Sequence, residues 1–497
     1  MFNMIRNVFL LITCFLVGLS TFAQNESDVL RYSTTDIYGS ARFEAMAGSF
    51  GALGADISAI QINPAGMGRF SSSRASISFN NSIIRSNGKY NGVLTKARHN
   101  KFAISSAGVV FSKDLSEENI GRKYSQFTIG YTRLKNFSNS RHYEGQNFYS
   151  LLDVFANSGR GISPELIYDL RPFTTGLAYD VFALDYNSSN QQYQSRLTNG
   201  DMYHTRDIET DGGMGEFHIG YSENYMNTFY YGASLGIRRI NYEKGYTHHE
   251  RLLDTVGTTL RSFTYKYDQT TSGTGLNLKL GVMYLPNNNF RFGISFESPS
   301  IIVLEDEWTA DMTATHVDGL KYVEPEYVPT GKYEYTIKTP MKLRGSIAYI
   351  LGMRGAINVD LELSRLPGGK LRPSNSLENP NNAYQFEIEN KEVKNQFRTV
   401  LNTRIGIEYM IVRDFYLRGG IAILPQPYKK GVVDETTVNQ TYSAGIGWEN
   451  KYFSIDLSYR LMRRYSEYYA FDPSKLENRA TFRVDQHNIV LTGRIKF

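Results

Sequence analysis

Apolar and polar residues alternate along much of the chain with a period of two. Residues 355–364 place Ile357, Val359, Leu361 and Leu363 on one face and Asn358, Asp360 and Glu362 on the other. Residues 402–411 and 451–461 alternate in the same way. A period of two is that of a β-strand, whereas an amphipathic helix repeats about every 3.6 residues. The pattern therefore predicts strands with one apolar face and one charged face.

These predicted strands are long and numerous. Many reach about ten residues, whereas strands of soluble proteins average about 5–6 residues. Their polar faces carry charges of both signs, which suits a water-filled interior better than a soluble sandwich. Residues 173–186, 258–268 and 276–284 are among the alternating segments. We predict an all-β fold, a transmembrane antiparallel β-barrel of about 14 strands, which lies within the size range of outer-membrane barrels.

The connections between the predicted strands are of two kinds. Tight ones, such as residues 286–289 and 352–354, alternate with long polar ones, such as residues 298–331 and 366–397. Short periplasmic turns and long extracellular loops are typical of outer-membrane barrels. In another long connection, residues 147–156 carry apolar side chains at helical spacing, which predicts a short helix there.

Both ends of the chain point to export. Arg6 precedes the apolar run Val8–Val17, and the small residues Thr21 and Ala23 precede Gln24, as in a secretory signal peptide. The run is too short to cross about 30 Å of hydrocarbon. We predict that residues 1–23 are a cleaved signal, removed together with the single cysteine. The last strand ends in Phe497, which resembles the signal read by the barrel assembly machinery. We predict that the protein is located in the bacterial outer membrane, with the lipid bilayer and the barrel assembly machinery as partners.

A small, glycine-rich stretch, residues 48–67, lies between the signal and the first predicted strand. Its glycines allow close backbone packing, and its single charge is Asp56. It ends in Asn63-Pro64-Ala65-Gly66, where the proline removes a donor and favours extended backbone at Asn63. We predict that residues 24–70 form an N-terminal hatch, or plug, and that residues 71–497 form the barrel with its long extracellular loops.

The candidates for a hatch or gating role are Asp56, Asn63, Pro64, Ala65 and Gly66. A structural turn joining the hatch to the first strand explains the types of the last four residues equally well, so both interpretations stay open.

Charged residues on the polar strand faces are the candidates for the lumen. Asp56 needs a partner there, and the arginines on those faces are Arg344, Arg404, Arg418, Arg460 and Arg494. Such guanidinium groups suit a ligand carboxylate. A charge ladder with Asp360, Glu362, Glu408 and Asp456 is the favoured alternative. The lumen-facing candidates are Arg344, Arg404, Glu408, Arg418, Asp456 and Arg460.

Composition excludes several other functions. The chain has 36 Tyr and 29 Phe but only 14 Pro, which favours pleated sheet. Its net charge is +5 and no basic run is present, so we predict no nucleic-acid partner. His248, His249 and Glu250 are adjacent rather than spaced as metal ligands, and no pattern marks a nucleophile. We predict no enzyme activity, no catalytic residues, no metal and no cofactor.

Short stretches of the chain resemble the FadL/TodX family of outer-membrane channels for hydrophobic compounds. Residues 47–67, with small residues, one acid and Asn-Pro-Ala-Gly, resemble the family's N-terminal pattern. Residues 339–345 and 415–421 look like two of its strands, and residues 291–299 are a weaker match. Residues 139–210 do not match cleanly.

The resemblance implies a passive channel for hydrophobic small molecules such as long-chain fatty acids. In that family a hatch blocks the lumen, and the ligand leaves sideways through a gap in the wall into the membrane. Such a gap requires a break in strand pairing, since a closed barrel has no edges. Two alternatives remain: a FadL-like barrel of the PorV type that acts as a shuttle or scaffold for secreted proteins, and a polar porin.

Overall fold

The structure is a computed structural model that describes residues 25–117, 121–197, 201–254, 258–323, 329–374, 384–432, 438–471 and 476–497. The predicted signal, residues 1–23, lies outside the described residues. Within the ranges described, no helix is long and apolar enough to cross a membrane.

Fourteen antiparallel strands form a closed barrel, which confirms the predicted fold class and strand number. The barrel closes where the first strand pairs with the last, from Arg74 opposite Lys496 to Tyr90 opposite Ala480. The uninterrupted strands are β1 (Arg74–Tyr90), β2 (Val93–Asp114), β4 (Met202–Tyr225), β5 (Phe229–Leu252), β6 (Leu260–Tyr284), β10 (Thr399–Val412), β11 (Phe415–Leu424), β12 (Asn439–Glu449), β13 (Phe453–Tyr469) and β14 (Arg479–Lys496).

Four strands are broken into two halves. They are β3 (Arg122–Asn136 and Asn139–Asn147), β7 (Phe290–Glu297 and Ile301–His316), β8 (Gly331–Lys338 and Lys342–Leu351) and β9 (Gly355–Arg365 and Lys370–Pro373). Pro299, Pro340 and Pro367 lie in the last three breaks, where the missing N–H interrupts the ladder. The break in β3 contains no proline and lies opposite residues 211–212 of β4.

Helices occur before the barrel and in its long loops. They are α1 (Glu26–Ser33), α2 (Ala41–Ala45), α3 (Leu151–Ser158), α4 (Pro164–Leu170), α5 (Thr175–Asp180) and α6 (Glu387–Gln396). Short 3-10 helices span Ile57–Gln61, Pro64–Arg69, Leu366–Gly368 and Leu476–Asn478, and short strands span Leu184–Asn187, Gln192–Ser195 and Lys321–Val323.

The alternating pattern has the predicted orientation. In β9, Ile357, Leu361 and Leu363 point outward and are exposed, whereas Asn358 and Asp360 point inward and are buried. The outward apolar band is limited in height. On β5 it runs up to Leu235 and Ile237, and the next outward residues, at positions 239, 241 and 243, are exposed and polar. The upper parts of β4, β5 and β6 therefore stand above the lipid-facing band.

The two ends of the barrel differ in their connections, as the sequence predicts. Residues 226–228, 285–289, 352–354, 413–414 and 450–452 form short connections at one end, called here the turn end. The described parts of residues 148–201, 317–330, 374–398 and 425–438 lie at the other end, called the loop end.

Three segment predictions were wrong. Residues 298–331, predicted as one long polar connection, contain the second half of β7, Ile301–His316. Residues 173–186 contain α5 and only the first residues of the short strand Leu184–Asn187, because Leu177 and Ala178 pack into a core beneath the loop. Residues 258–268 and 276–284 are parts of one 25-residue strand, β6. The alternation weakens between them because the outward residues there, such as Thr270 and Ser272, lie above the lipid-facing band and are polar.

Candidate functional site

Residues 25–70, called the inner segment, pack against the inward face of the barrel wall. The wall carries glycines where the segment is closest. A Cβ on Gly420 would lie 2.5 Å from the backbone nitrogen of Ala47. A Cβ on Gly281 would overlap the side-chain oxygen of Asn63. The close approach therefore depends on the absence of side chains at these wall positions.

Ion pairs also join the inner segment to the wall. Arg42 forms a bidentate pair with Glu408, with nitrogen–oxygen distances of 2.8 and 2.7 Å. Glu44 accepts from Arg460 Nε at 2.9 Å, and both side chains are fully buried. Buried pairs with good geometry are costly to break from one side, because the remaining charge is left without a partner.

Asp56 has a different partner from the one predicted. Its carboxylate accepts from the Ser40 hydroxyl at 2.7 Å and from the Ser58 backbone nitrogen at 2.9 Å. It is the N-cap of the 3-10 helix Ile57–Gln61, a role that suits aspartate. The prediction that Asp56 pairs with a strand arginine was wrong, because this local cap already satisfies the carboxylate.

Asn63 caps the next 3-10 helix and contacts the wall. Its side-chain oxygen accepts from Ala65 N at 3.1 Å, and its amide nitrogen donates to Gly51 O at 2.8 Å and to Val282 O at 3.3 Å. The Ser222 hydroxyl donates to Pro64 O at 2.8 Å. Gly66 O accepts from Ala55 N at 3.1 Å. Turn formation and wall contact thus explain these residue types, and a gating role stays a prediction.

The six predicted lumen charges are all buried on the inner wall and form ion pairs. Arg344 pairs with Glu362 at 2.6 Å and with Glu297 at 2.7 Å. Arg404 lies 3.6 Å from Glu362. Arg418 pairs with two carboxylates: its Nε lies 2.5 Å from Glu408 and its Nη1 lies 2.6 Å from Asp456. Arg494 also pairs with Asp456. Arg460 pairs with Glu44 of the inner segment. This geometry matches the predicted charge ladder except at Asp360, which forms no ion pair among the described residues and accepts instead from Phe50 N at 2.9 Å and from Gly51 N at 3.1 Å.

The ladder contains further residues that the sequence analysis did not select. Glu216 of β4 pairs with Arg238 and Lys279, and Arg238 also reaches Glu297 at 2.5 Å. All four are inward positions of period-two strands, so the alternation itself was the signal that could have found them.

A cavity of about 410 Å³ lies inside the barrel beside α1. Its apolar lining residues are Leu30, Leu366, Val400, Leu424, Pro425 and Pro427. Its charged lining residues are the cations Arg31, Lys135, Arg141, Lys342 and Arg464 and the carboxylates Asp36 and Glu362.

Three of these cations form no direct ion pair. Arg31 pairs with Asp28, and Arg464 pairs with Asp36 at 2.6 Å. By contrast, Lys135, Arg141 and Lys342 form no ion pair with any carboxylate in the described part of the chain, although Asp36 is close enough to Lys135, and Glu297 and Glu362 to Lys342, to interact electrostatically. Lys135 donates to Arg31 O at 2.9 Å and to the Thr34 hydroxyl, and Lys342 donates to the Thr35 hydroxyl at 3.2 Å. The cavity is therefore lined by both apolar and charged residues, and its cations outnumber its carboxylates.

The wall has a gap in strand pairing beside this cavity. β2 pairs with β3 only from Asp114 opposite Tyr124 to Ser106 opposite Thr132. The second half of β3 pairs with β4, and no ladder joins it to β2 among the described residues. A neighbouring space of about 190 Å³ shares Lys135 and Arg141 with the cavity and reaches Phe137 and Ser138 at the break in β3.

Within the described residues, the gap is crossed by hydrogen bonds and an ion pair from side chains and not by a backbone ladder. Lys101 Nζ of β2 lies 2.6 Å from Asp211 Oδ2 of β4, and the Ser138 hydroxyl donates to the same carboxylate. Nearer the loop end, the Thr95 hydroxyl donates to His142 O. Both ends of the Lys101–Asp211 pair are partly exposed, so solvent weakens it.

A buried cluster of His204, His248 and Glu250 lies at the loop end of β4 and β5, above the lipid-facing band. Their ligand-type atoms lie within 4.8 Å of one another. The sequence analysis considered His248, His249 and Glu250 together and missed that His204 joins His248 and Glu250 instead of His249. Residues 248 and 250 share a strand face, and the register places His204 opposite Glu250.

Hydrogen bonds assign this cluster an anchoring role. Glu250 accepts from the Ser150 hydroxyl at 2.6 Å and from Leu151 N at 2.8 Å, which fixes the start of α3. Arg206 Nε donates to His248 Nδ1 at 3.1 Å. The proton of neutral His248 is therefore on Nε2, which donates to Glu250 at 2.7 Å. That nitrogen would have to lose its proton to bind a metal. The absence of a metal stays a prediction.

Solved structures share this architecture. The toluene transporter TodX of Pseudomonas putida aligns with a TM-score of 0.54 over 93% of this chain and 99% of its own, at 14% identity. A FadL homologue of Pseudomonas aeruginosa aligns with a TM-score of 0.56 over 94% and 100% of the two chains, at 12% identity. No family model matches the sequence, and neither does any curated protein. The chain has the FadL/TodX-type barrel fold.

Within this FadL/TodX-type fold, residues 139–210 hold the second half of β3, helices α3–α5 and the start of β4. This is the region in which the sequence resemblance was weakest. It contains both the far edge of the gap and the anchored loop.

Proposed function

We propose that the protein is a passive channel of the bacterial outer membrane for the uptake of hydrophobic small molecules. The observation that carries the proposal is the cavity of about 410 Å³, which has both apolar and cationic lining residues and adjoins the unpaired stretch of the wall. The shared fold with a toluene transporter and a FadL homologue supports it. In this proposal the turn end faces the periplasm and the loop end faces outward.

The preferred ligand in this proposal is an amphiphile with one anionic group, such as a long-chain fatty acid. Burying an alkyl chain against Leu366, Val400 and Leu424 contributes about 25 cal/mol for each Å² removed from water. The carboxylate can be neutralised by Lys135, Arg141 or Lys342, which form no direct ion pair in the described chain. Release sideways, between β2 and the second half of β3, spares the alkyl chain the aqueous periplasm.

A matched pair of substitutions tests the cavity. Val400 lines it and is 6% exposed, whereas the next residue, Leu401, faces lipid and is 49% exposed. Val400→Trp fills part of the cavity, and Leu401→Trp adds the same bulk outside the barrel. We expect Val400→Trp to reduce uptake of radiolabelled oleate at least tenfold in cells that lack their own channel. Leu401→Trp should transport like the unmodified protein.

Native mass spectrometry of the purified protein provides a second readout. We expect a fatty acid to remain bound to the unmodified chain and to be lost from Val400→Trp. If the barrel is always empty and Val400→Trp leaves uptake unchanged, the channel proposal is wrong.

A scaffold for secreted proteins is the second candidate function. Apolar side chains are exposed at the loop end, among them Phe148 at 64%, Leu166 at 53% and Leu170 at 50%. Such residues favour a protein interface over an inert surface. Replacing Leu166 and Leu170 by serine would impair a scaffold but leave oleate uptake unchanged. The polar-porin alternative is disfavoured, because the inner segment occupies the lumen next to the wall glycines.

A further inference from the structure

A separate cavity of about 260 Å³ opens at the turn end of the barrel, on the other side of the inner segment. It lies between residues 53–55 of the inner segment and the tight turn at residues 352–354. Arginine is the dominant residue type in its lining. The charged residues there are Arg42, Arg69, Arg291, Arg354 and Glu408, and this space is called the arginine pocket.

The single carboxylate among these lining residues is already neutralised. Glu408 accepts two hydrogen bonds from Arg42, at 2.8 and 2.7 Å, and one from Arg418 at 2.5 Å. The other three arginines of the pocket form no ion pair with any carboxylate that the structure describes. The arginine pocket therefore holds an excess of positive charge in one concave space, unlike the ladder deeper in the lumen.

Neutral contacts hold two of these arginines in place. Arg69 Nη1 donates to the Tyr230 hydroxyl at 2.8 Å, and the guanidinium lies 5.3 Å from the centre of that ring. Arg69 Nε is buried and has no hydrogen-bond acceptor in the described structure. Arg291 Nη1 donates to Leu53 O at 3.4 Å. Each side chain is thus positioned by one nitrogen, and other N–H groups remain to bind a ligand.

The chemistry of this arrangement matches a multivalent anion. Guanidinium groups bind phosphate oxygens through paired N–H donors, and several of them around one space suit a tetrahedral oxyanion. The repulsion between neighbouring guanidinium groups falls when a negative charge lies between them. We propose that the arginine pocket binds a phosphate-type oxyanion at the periplasmic mouth. The source is either free phosphate or the headgroup phosphate of a phospholipid that reaches around the turn.

The test uses the full chain purified in detergent. Inorganic phosphate is titrated at constant ionic strength while the unfolding temperature is measured, since a ligand that binds the folded state raises it. We expect a saturable rise for the unmodified protein and an affinity at least tenfold lower for Arg69→Gln/Arg291→Gln. Arg354→Gln tests the pocket without disturbing those buried contacts, because Arg354 lies in an exposed turn. Arg413→Gln is the matched control, since Arg413 is 95% exposed in another tight turn.

A second arm identifies the source of the phosphate. The protein is released from phosphatidylglycerol vesicles and analysed by native mass spectrometry. If the unmodified protein and Arg413→Gln retain lipid but Arg354→Gln does not, the pocket binds the phosphate of a lipid headgroup. A phosphate-dependent rise in unfolding temperature without retained lipid assigns it to free phosphate. If neither probe distinguishes Arg354→Gln and Arg69→Gln/Arg291→Gln from Arg413→Gln, the proposal is overturned.

Discussion

Single wall glycines determine how closely the inner segment approaches the barrel. Gly420 lies against the backbone of Met46 and Ala47, where backbone atoms leave no room for a side chain to turn away. Gly345, on the outer face of β8, has no described atom within 4 Å of an added Cβ. Two glycines of the same barrel therefore have opposite sensitivity to substitution, and the sequence alone does not distinguish them.

We expect Gly420→Val to displace the inner segment. Overpacking against backbone costs about 1–3 kcal/mol, so the unfolding temperature should fall. The displaced segment should also increase leakage of small polar solutes from proteoliposomes. Gly345→Val is the control and should match the unmodified protein in both measurements. Equal leakage from the two variants would contradict the role assigned to the contact at Gly420.

At the scale of elements, the gap between β2 and the second half of β3 is the least supported part of the wall. The Lys101–Asp211 ion pair crosses it, and an exposed pair of this kind contributes about 1 kcal/mol or less. Lys101→Met should therefore increase hydrogen exchange of the amides in residues 137–147 about two- to fivefold.

A fully paired part of the wall supplies the control for Lys101→Met. Glu467→Gln removes the Arg479–Glu467 pair between β13 and β14, whose ladder runs without interruption from Phe453 opposite Ile495 to Tyr469 opposite Arg479. Exchange in residues 137–147 should not change in this variant. An equal response to both substitutions would show that the Lys101–Asp211 pair does not hold the gap.

The anchor of α3 predicts a dependence on pH. Burial lowers the pKa of His204 to about 4, and burial with the nearby Arg206 charge also lowers the pKa of His248 well below its usual value. An exposed histidine has a pKa of about 6.5. Protons therefore bind the released state of the loop more tightly than the docked state. Docking is fully stable above about pH 6.5 and is weakened as the pH falls toward 4, by up to about tenfold per pH unit for each proton taken up.

Hydrogen exchange of residues 148–158 measures this effect. Protection, corrected for the intrinsic rate, should decrease between pH 7 and pH 5, and His204→Gln should show a smaller decrease because one titrating group is gone. The groups that face the two histidines are Glu250, Arg206, Tyr90 and, on the loop, Ser150. Constant protection over this pH range would contradict the anchor.

These elements also show how far the sequence could predict the structure. β9 could be located from alternation because its outer face meets lipid and its inner face carries the ladder. β6 could not be located as one strand, because its upper half rises above the lipid and carries polar residues on its outer face. The His204–Glu250 cluster depends on the register between β4 and β5, which no local pattern encodes. Asp56 was misassigned because two contacts were missed: its cap on Ser58 N, which is local, and its bond from Ser40, which depends on tertiary folding.

At the scale of the whole molecule, the charged side chains on the inner face of the wall are neutralised largely by one another. The ladder from Glu216 through Arg238, Glu297 and Arg344 to Glu362 contains no residue of the inner segment. The segment contributes partners chiefly to Glu408 and Arg460, and Glu408 keeps Arg418 if the segment is absent. The barrel wall therefore keeps its own ion pairs without the segment, and we expect it to remain closed.

Deleting residues 38–63 should accordingly open a polar path without unfolding the wall. The deletion removes Arg42, Glu44 and the contacts to Gly281 and Gly420, and it exposes the charged ladder to water. We expect faster swelling of proteoliposomes in small sugars, while the heat-modifiable gel mobility of a folded barrel persists. Gly345→Val serves as the control for reconstitution and should swell like the unmodified protein. Unchanged permeability in a folded deletion variant would show that the inner segment does not block the lumen. The side chains of the charge ladder would then be what closes it.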